Sequence, residues 1–166
     1  MDAARNVKRI LVMGVGNTLM QDDGVGIEVT RKLNARPGRH PSLRIVDGGT
    51  IGLALLPEIE DADAVIVVDA SELGAPAGTL ETFHNEAIDT LLSGKSRTVH
   101  EVALLDLFAA AAISGRMPAR RTLVAIQPAS TEWGSGCTQP VHEAAERACA
   151  LIEELADEWT QCEVAA

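Results

Sequence analysis

Aromatic side chains are scarce in this chain, whose 166 residues include two Trp, two Phe and no Tyr. Because 46% of the residues are nevertheless hydrophobic, the core has to be aliphatic, as in strands that are sandwiched between helices. The three cysteines include no C-x-x-C pair, which indicates neither a disulfide framework nor a thiolate zinc site. The length predicts a single domain over residues 1–166.

Positive charge is also in short supply. The chain has 24 acidic and 14 basic side chains, a formal net charge of −10 and no basic run, which argues against nucleic acid as a partner.

Long hydrophobic runs are missing too. The apolar stretch that starts at Ile10 is short and ends in glycines, so it is typical of a first strand rather than of a secretory or membrane segment. We therefore expect a cytoplasmic protein that binds neither nucleic acid nor membrane.

Apolar runs alternate with helical patterns along the chain, and this alternation predicts an α/β fold. We expect five strands, near residues 9–15, 43–47, 64–69, 79–84 and 122–127. Helices are expected from Val25 to the Pro37-Gly38 breaker, briefly after Thr50, over residues 101–114, and from Pro140 onward. Apolar side chains recur at helical spacing in the last helix, which predicts that it packs on the core.

The opening segment RILVMGVGNTLMQDDGVGIEV, residues 9–29, runs from a strand through a glycine loop into a helix. This order is similar to the start of a dinucleotide-binding fingerprint. However, Asp22 and Asp23 occupy the helix N-terminus where a pyrophosphate would bind, and two fixed anions there would repel a third. One aspartate is explained as a helix N-cap, but a cap does not readily explain two.

Other aspartates end strands that lead to the same place. Asp47 ends the second strand and Asp69 the third, so in a parallel sheet their side chains emerge at the same carboxyl edge as the loop that holds Asp22 and Asp23. Each has an alternative explanation as a turn residue or a cap. Like charges gathered in one cleft raise one another's pKa and destabilise the fold unless a cation offsets them. The sequence therefore predicts a metal-binding cluster.

A histidine is available for this cluster. Of the four histidines, His40 and His84 are expected at the surface or at a sheet edge, and His142 is expected to face outward. His100 lies in a predicted loop just before an apolar helix and is able to project into the cleft. Two carboxylates and one imidazole suit zinc or nickel better than calcium or magnesium. The coordination positions left over allow a ligand from the substrate or an activated water.

At these residues the sequence resembles the hydrogenase maturation proteases, the endopeptidases that trim the C-terminus of the large subunit of nickel-iron hydrogenases. The matching segments follow the family's order over nearly the whole chain: GVGNTLMQDDGVG at 14–26, DGGTIGLALL at 47–56, VIVVDA at 65–70, the segment around His100, and VAIQP at 124–128. The resemblance implies a three-layer sandwich with a twisted, five-stranded, mostly parallel sheet between helices. The strand at 79–84 is the candidate for an antiparallel edge, because a short connection precedes it.

The resemblance also implies roles for single residues. It places the family's metal-contacting side chains on Asp23, Asp69 and His100, with the two aspartates as the catalytic carboxylates. The expected supporting residues are Asn17, Asp22 and Asp47, of which Asn17 would hydrogen-bond across the loop and aim Asp23. Some members have Glu where this chain has Asp23, so the resemblance leaves the coordination geometry open.

The function implied by the resemblance is removal of the C-terminal extension of a hydrogenase large-subunit precursor after nickel insertion. Nickel in the precursor would be the recognition signal, and no tightly bound cofactor of the protease's own is expected. We expect the enzyme to be a monomer. Cleavage by a metal-polarised water and cleavage by a carboxylate general base both remain open. The alternatives are a nucleotide- or dinucleotide-binding module without peptidase activity and a related hydrolase with another substrate.

Overall fold

A five-stranded sheet forms the centre of the protein. The structure is a computed structural model that describes residues 7–50, 52–94 and 99–161. The strands are β1 (Ile10–Val15), β2 (Leu43–Gly49), β3 (Ala64–Ala70), β4 (Leu80–His84) and β5 (Arg120–Ile126), in the spatial order β2-β1-β3-β5-β4. β4 pairs antiparallel with β5 at one edge, while the other pairs are parallel. The predicted strands and the antiparallel edge strand are thus confirmed.

Helices cover both faces of this sheet, as predicted. They are α1 (Val25–Ala35), α2 (Leu56–Glu60), α3 (Glu86–Leu92), α4 (Val99–Ile113) and α5 (Gln139–Gln161). α1 and α5 pack on one face, where Val29 and Leu33 belong to the same buried cluster as Ile152. The other three helices cover the opposite face, with Leu107 and Phe108 of α4 in the core. In the part of the chain that the structure describes, no helix combines the length and apolar character that crossing a membrane requires.

The glycine loop after β1 lets α1 lie very close to the sheet. A β-carbon on Gly14 would lie 2.1 Å from the carbonyl oxygen of Gly26, and one on Gly26 would lie 2.3 Å from the carbonyl oxygens of Val15 and Val68. Gly16 has φ +138°, a conformation that favours glycine. Close packing of helix on strand accounts for these glycines, so they do not by themselves indicate a phosphate site.

The structure moves one helix boundary and adds two short elements. The sequence predicts His100 in a loop before a helix that starts at Glu101, but α4 begins at Val99 and places His100 in its first turn. This helix is apolar on most sides, so its sequence lacks the periodic signal that would locate its start. α3 and a 3₁₀ turn at Gln21–Gly24 were not predicted. Residues 95–98, which lead to His100, lie outside the described residues.

An ion pair ties α3 to β5. Arg121 donates hydrogen bonds to both carboxylate oxygens of Asp89, at 2.8 and 3.0 Å, and its guanidinium carbon lies 5.3 Å from the ring centre of Phe108. The hydrogen bond from Arg121 lowers the pKa of Asp89. Because 48% of the Asp89 side chain remains exposed, solvent screening limits the pair to about 0.5–1 kcal/mol.

We expect Asp89→Asn to lower the free energy of unfolding at pH 7 by that small amount. The folded-state pKa of Asp89 lies below its unfolded value, so this stabilisation is present above the unfolded pKa and is lost as the pH falls through the folded pKa. Urea denaturation of both proteins between about pH 7 and pH 3 measures the difference. The control is Asp106→Asn, at an exposed position of α4. A difference that is independent of pH would contradict the prediction.

Candidate active site

Three of the predicted site residues meet at the carboxyl end of β3. Asp69 is the next-to-last residue of this buried strand, and its side chain is 5% exposed. Asp23 lies in the 3₁₀ turn between β1 and α1, and His100 lies in the first turn of α4. His100 Nδ1 is 3.6 Å from Asp23 Oδ1 and 3.8 Å from Asp69 Oδ1. The fold thus brings three separate chain segments to one cleft.

His100 lies beside both aspartates without a hydrogen bond to either of them. Both separations from His100 Nδ1 exceed the usual hydrogen-bond distance. Within the described residues, no group of three histidine, cysteine, aspartate or glutamate side chains is placed to hold a metal ion as it stands. Ligands at about 2.0–2.2 Å from one ion would lie slightly closer together than these atoms do. A slight inward movement of the side chains would give them the closer spacing of ligands around a tetrahedral ion.

The carboxylate of Asp69 is poorly stabilised. Its Oδ1 is buried and has no hydrogen-bond partner among the described residues. Burial raises the pKa of Asp69 well above its usual value, and the charges of Asp23 and Glu101 raise it further, while a hydrogen bond with the backbone of Ala70 opposes the shift. A carboxylate whose pKa is raised binds a proton more strongly than an ordinary carboxylate, which is a property that a general base needs.

Asp23 is aimed into the cleft by the loop backbone. Its Oδ2 accepts a hydrogen bond from the main-chain N–H of Asn17 at 2.9 Å, while Oδ1 is the oxygen near His100. The side chain of Asn17 is used differently, because its Oδ1 accepts a hydrogen bond from the N–H of Leu19 at 3.0 Å. Asn17 therefore contacts Asp23 across the loop through its main chain.

Asp22 is occupied elsewhere. It is completely buried, and its Oδ2 accepts hydrogen bonds from the N–H groups of Ala129 and Ser130 and from the Thr138 hydroxyl, at 2.8, 3.0 and 2.9 Å. Its Oδ1 accepts a hydrogen bond from the Thr138 N–H at 2.6 Å. Asp22 thus anchors the β5–α5 loop, residues 127–138, and the structure does not bring it into the carboxylate cluster that the sequence predicts.

Asp47 lies at the predicted edge of the sheet but is engaged in its own turn. It pairs with Gly14 in the register of β1 and β2, near the carboxyl ends of both strands. The residue is exposed, and its Oδ1 accepts a hydrogen bond from the N–H of Gly49 at 2.9 Å. This contact matches the turn role that the sequence offers as the alternative for Asp47.

The described cysteines are poor nucleophiles. Burial raises the pKa of the Cys137 thiol far above its ordinary value, with a further rise from Glu28. Burial also raises the pKa of Cys149 to about 11. Both groups are therefore protonated near neutral pH, and the thiolate is the reactive form. Cys162 lies outside the described residues. The chemistry of the cleft consequently rests on its carboxylates and histidine.

The fold and the cleft together define a class of enzyme. The solved structure of the hydrogenase maturating endopeptidase HybD from E. coli has a TM-score of 0.81 with this protein and is 32% identical, over 90% of this chain and 93% of that chain. That protein is an endopeptidase, a hydrolase that acts within a polypeptide, and this chain shares its fold.

Sequence comparisons identify the particular family. The family model described as hydrogenase maturation protease matches residues 27–155. The hydrogenase 2 maturation protease of Escherichia coli (strain K12) is 35% identical over 142 residues, which are 84% of this chain and 85% of that protein. The hydrogenase expression/formation protein HupD of Rhodobacter capsulatus is 35% identical over 80% of this chain but only 63% of its own length, so this chain spans less than two thirds of that relative. The chain belongs to the hydrogenase maturation protease family.

Proposed function

We propose that this protein removes the C-terminal extension of a nickel-iron hydrogenase large-subunit precursor after nickel has been inserted. The observation that carries the proposal is that His100 Nδ1 lies 3.6 Å from Asp23 and 3.8 Å from Asp69 in a chain of this family. The nickel ion belongs to the precursor and serves as the signal that the precursor is ready for cleavage. The protease then needs no tightly bound metal of its own.

The side chains of the cleft suit such an ion. Asp69 Oδ1 is buried without a hydrogen-bond partner among the described residues, so it is free to accept a cation. An imidazole nitrogen with carboxylate oxygens fits nickel or zinc better than calcium or magnesium. Asp23, Asp69 and His100 would supply three ligands, and the precursor would supply the others. Binding therefore becomes strong only when protease and loaded precursor meet.

Two routes for breaking the peptide bond fit the cleft. A precursor-borne ion beside Asp23 and Asp69 would polarise the scissile carbonyl or lower the pKa of a water. Alternatively, one of the two carboxylates acts as a general base toward the attacking water. In the first route Asp69 Oδ1, which has no hydrogen-bond partner among the described residues, would lie against the cation. In the second route the carboxylate that acts as the base takes up the proton that the attacking water loses.

We expect the wild type to cleave a purified precursor that contains nickel and to leave the nickel-free precursor intact. Asp23→Asn and His100→Ala should slow the cleavage at least about 100-fold, the usual scale for losing a catalytic acid, base or ligand. Mass spectrometry of the released peptide follows the reaction. Asp61→Asn, whose side chain is 72% exposed and which follows α2 at the opposite edge of the sheet, is the matched control.

Two results would count against this proposal. Equal cleavage by the wild type and by both cleft variants would remove Asp23 and His100 from the site. Micromolar binding of a nicotinamide or adenine nucleotide in calorimetry, without cleavage of any precursor, would favour the nucleotide-binding module instead.

A further inference from the structure

Most of the exposed large apolar side chains among the described residues lie in segments that follow the carboxyl ends of strands or begin α4. Among the described residues, the large hydrophobic side chains that remain exposed are Leu19 (58%), Leu53 (64%), Val99 (80%), Val102 (42%), Ile113 (89%) and Trp133 (77%). Of these, only Ile113 lies at the far end of α4. The others lie in loops that follow β1, β2 and β5 or in the first turns of α4, which hold or flank the cleft. Apolar patches at a rim of this kind mark interaction sites.

Trp133 is the most informative member of this group. The chain has two Trp and two Phe. Phe108 and Trp159 are buried in the core and Phe83 is partly buried against it, whereas Trp133 is 77% exposed. A tryptophan side chain is usually well buried, and exposed tryptophans are enriched among the residues that dominate binding energies at protein interfaces.

The backbone around Trp133 is held firmly although its side chain is exposed. The N–H of Gly134 donates to the carbonyl oxygen of Leu19, and the N–H of Gln21 donates to the carbonyl oxygen of Gly134, both at 3.0 Å. The hydrogen bonds to buried Asp22 hold the same loop from its other side. The side chains of Trp133 and Leu19 therefore project from two segments whose backbones are already fixed to each other. Binding a partner then loses little backbone conformational entropy in these segments.

This pair of segments is continuous with the active-site cleft. The N–H of Leu19 is bonded to the Asn17 side chain, and the N–H of Asn17 is bonded to Asp23. A partner seated on the rim thus faces the carboxylates of Asp23 and Asp69, and Asp69 Oδ1 has no hydrogen-bond partner among the described residues. A second copy of this chain, with a net charge of −10, would bring like charge toward them. A partner that presents apolar surface beside a bound cation is complementary to both features.

We propose that Leu19 and Trp133 form an apolar docking surface for a hydrophobic segment of the metal-loaded precursor next to its scissile bond. This inference rests on the proposed function and adds to it the residues that set the affinity for the substrate. Docking on Leu19 and Trp133 positions the polypeptide, while Asp23, Asp69 and His100 act on the metal and the peptide bond. Binding and chemistry are thus carried by separate side chains.

Steady-state cleavage of the nickel-loaded precursor tests this division. Trp133→Ala and Leu19→Ala should each raise KM about 10-fold or more, as expected for truncated interface residues, with kcat nearly unchanged. Trp133→Phe should recover most of the affinity. Ile113→Ala, which truncates an apolar side chain that is 89% exposed at the far end of α4, is the matched control. Because these side chains are exposed, thermal unfolding should show no loss of stability in any variant.

The outcomes separate the docking surface from the proposed function. If the wild type cleaves the precursor and Trp133→Ala and Leu19→Ala do so with an unchanged KM, the docking surface is refuted and the proposed function stands. The docking surface is also refuted if Ile113→Ala raises KM as much as Trp133→Ala does, or if sedimentation shows that the two residues mediate self-association instead. If the wild type cleaves no nickel-loaded precursor, the proposed function fails and the docking surface falls with it.

Discussion

Replacing Asp69 by Asn is expected to give a protein that is more stable than the wild type and nearly inactive. In the wild type, Asp69 is 4% exposed and its Oδ1 lacks a hydrogen-bond partner within the described residues. It also lies near Asp23, whose charge raises its pKa. An amide of almost the same shape removes a buried negative charge and the repulsion from Asp23. The free energy of unfolding should rise by about 1–3 kcal/mol, because a buried charged group without a partner is penalised more than a neutral amide at the same place.

The same substitution should slow precursor cleavage at least about 100-fold, because an amide neither takes up a proton nor binds a cation as a carboxylate does. Such an exchange of stability for activity is common at active sites that hold unfavourable charges. Urea denaturation at pH 7 and mass spectrometry of the released peptide measure the two effects on the same preparation. A variant that is less stable than the wild type would show that the Asp69 carboxylate is well stabilised. Unchanged activity would remove Asp69 from the mechanism.

The sheet could be predicted from the sequence because its strands have a simple signature. A parallel strand that is covered on both faces has a short, continuous apolar sequence. The clearest example is β3, in which every residue is buried. β4 differs because each of its five residues is exposed or only partly buried, as expected of a strand at the edge. Its antiparallel pairing follows from the short connection before it.

The short helix α3 could not be predicted because it depends on contacts that are distant in sequence. Its 7 residues are too few to be stable by helix propensity alone. Ile88 and Leu92 are buried in the core that α4 covers, and Asp89 is bonded to Arg121 in β5. None of these partners is apparent in the local pattern around residue 88.

The candidate site was only partly predictable, for a geometric reason. Asp69 and the carboxyl edge follow from the strand order, and His100 follows from elimination among the histidines. The neighbours Asp22 and Asp23 look alike in the sequence, but they lie in a 3₁₀ turn, Gln21–Gly24. With three residues per turn, successive side chains point about 120° apart. Asp23 therefore faces the cleft while the side chain of Asp22 is buried in the protein. The local sequence does not indicate which of the two aspartates faces the cleft.

We expect Asp22→Ala to be strongly destabilising. The buried carboxylate of Asp22 accepts hydrogen bonds from three main-chain N–H groups and one hydroxyl, contributed by Ala129, Ser130 and Thr138. Alanine leaves these donors without their acceptor, and hydrogen bonds to charged groups contribute about 1.5–3 kcal/mol each. After relaxation of the loop, a net loss of about 3–5 kcal/mol in the free energy of unfolding is expected. That is a large share of the roughly 5–15 kcal/mol typical of a domain.

Asp22→Asn provides the sharper comparison, because the same exchange at Asp69 is expected to have the opposite sign. At Asp22 the amide keeps one acceptor oxygen but turns the other position into a donor that opposes an existing donor, so stability should fall by about 1–3 kcal/mol. Urea denaturation measures both variants, and Asp47→Ala, which loses one hydrogen bond at an exposed position, should change stability by about 1 kcal/mol or less. Hydrogen exchange should speed up at the amides of Ala129 and Thr138 in the Asp22 variants. If Asp→Asn shifted stability in the same direction at both positions, the difference in hydrogen bonding between the two carboxylates would not determine their contributions to stability.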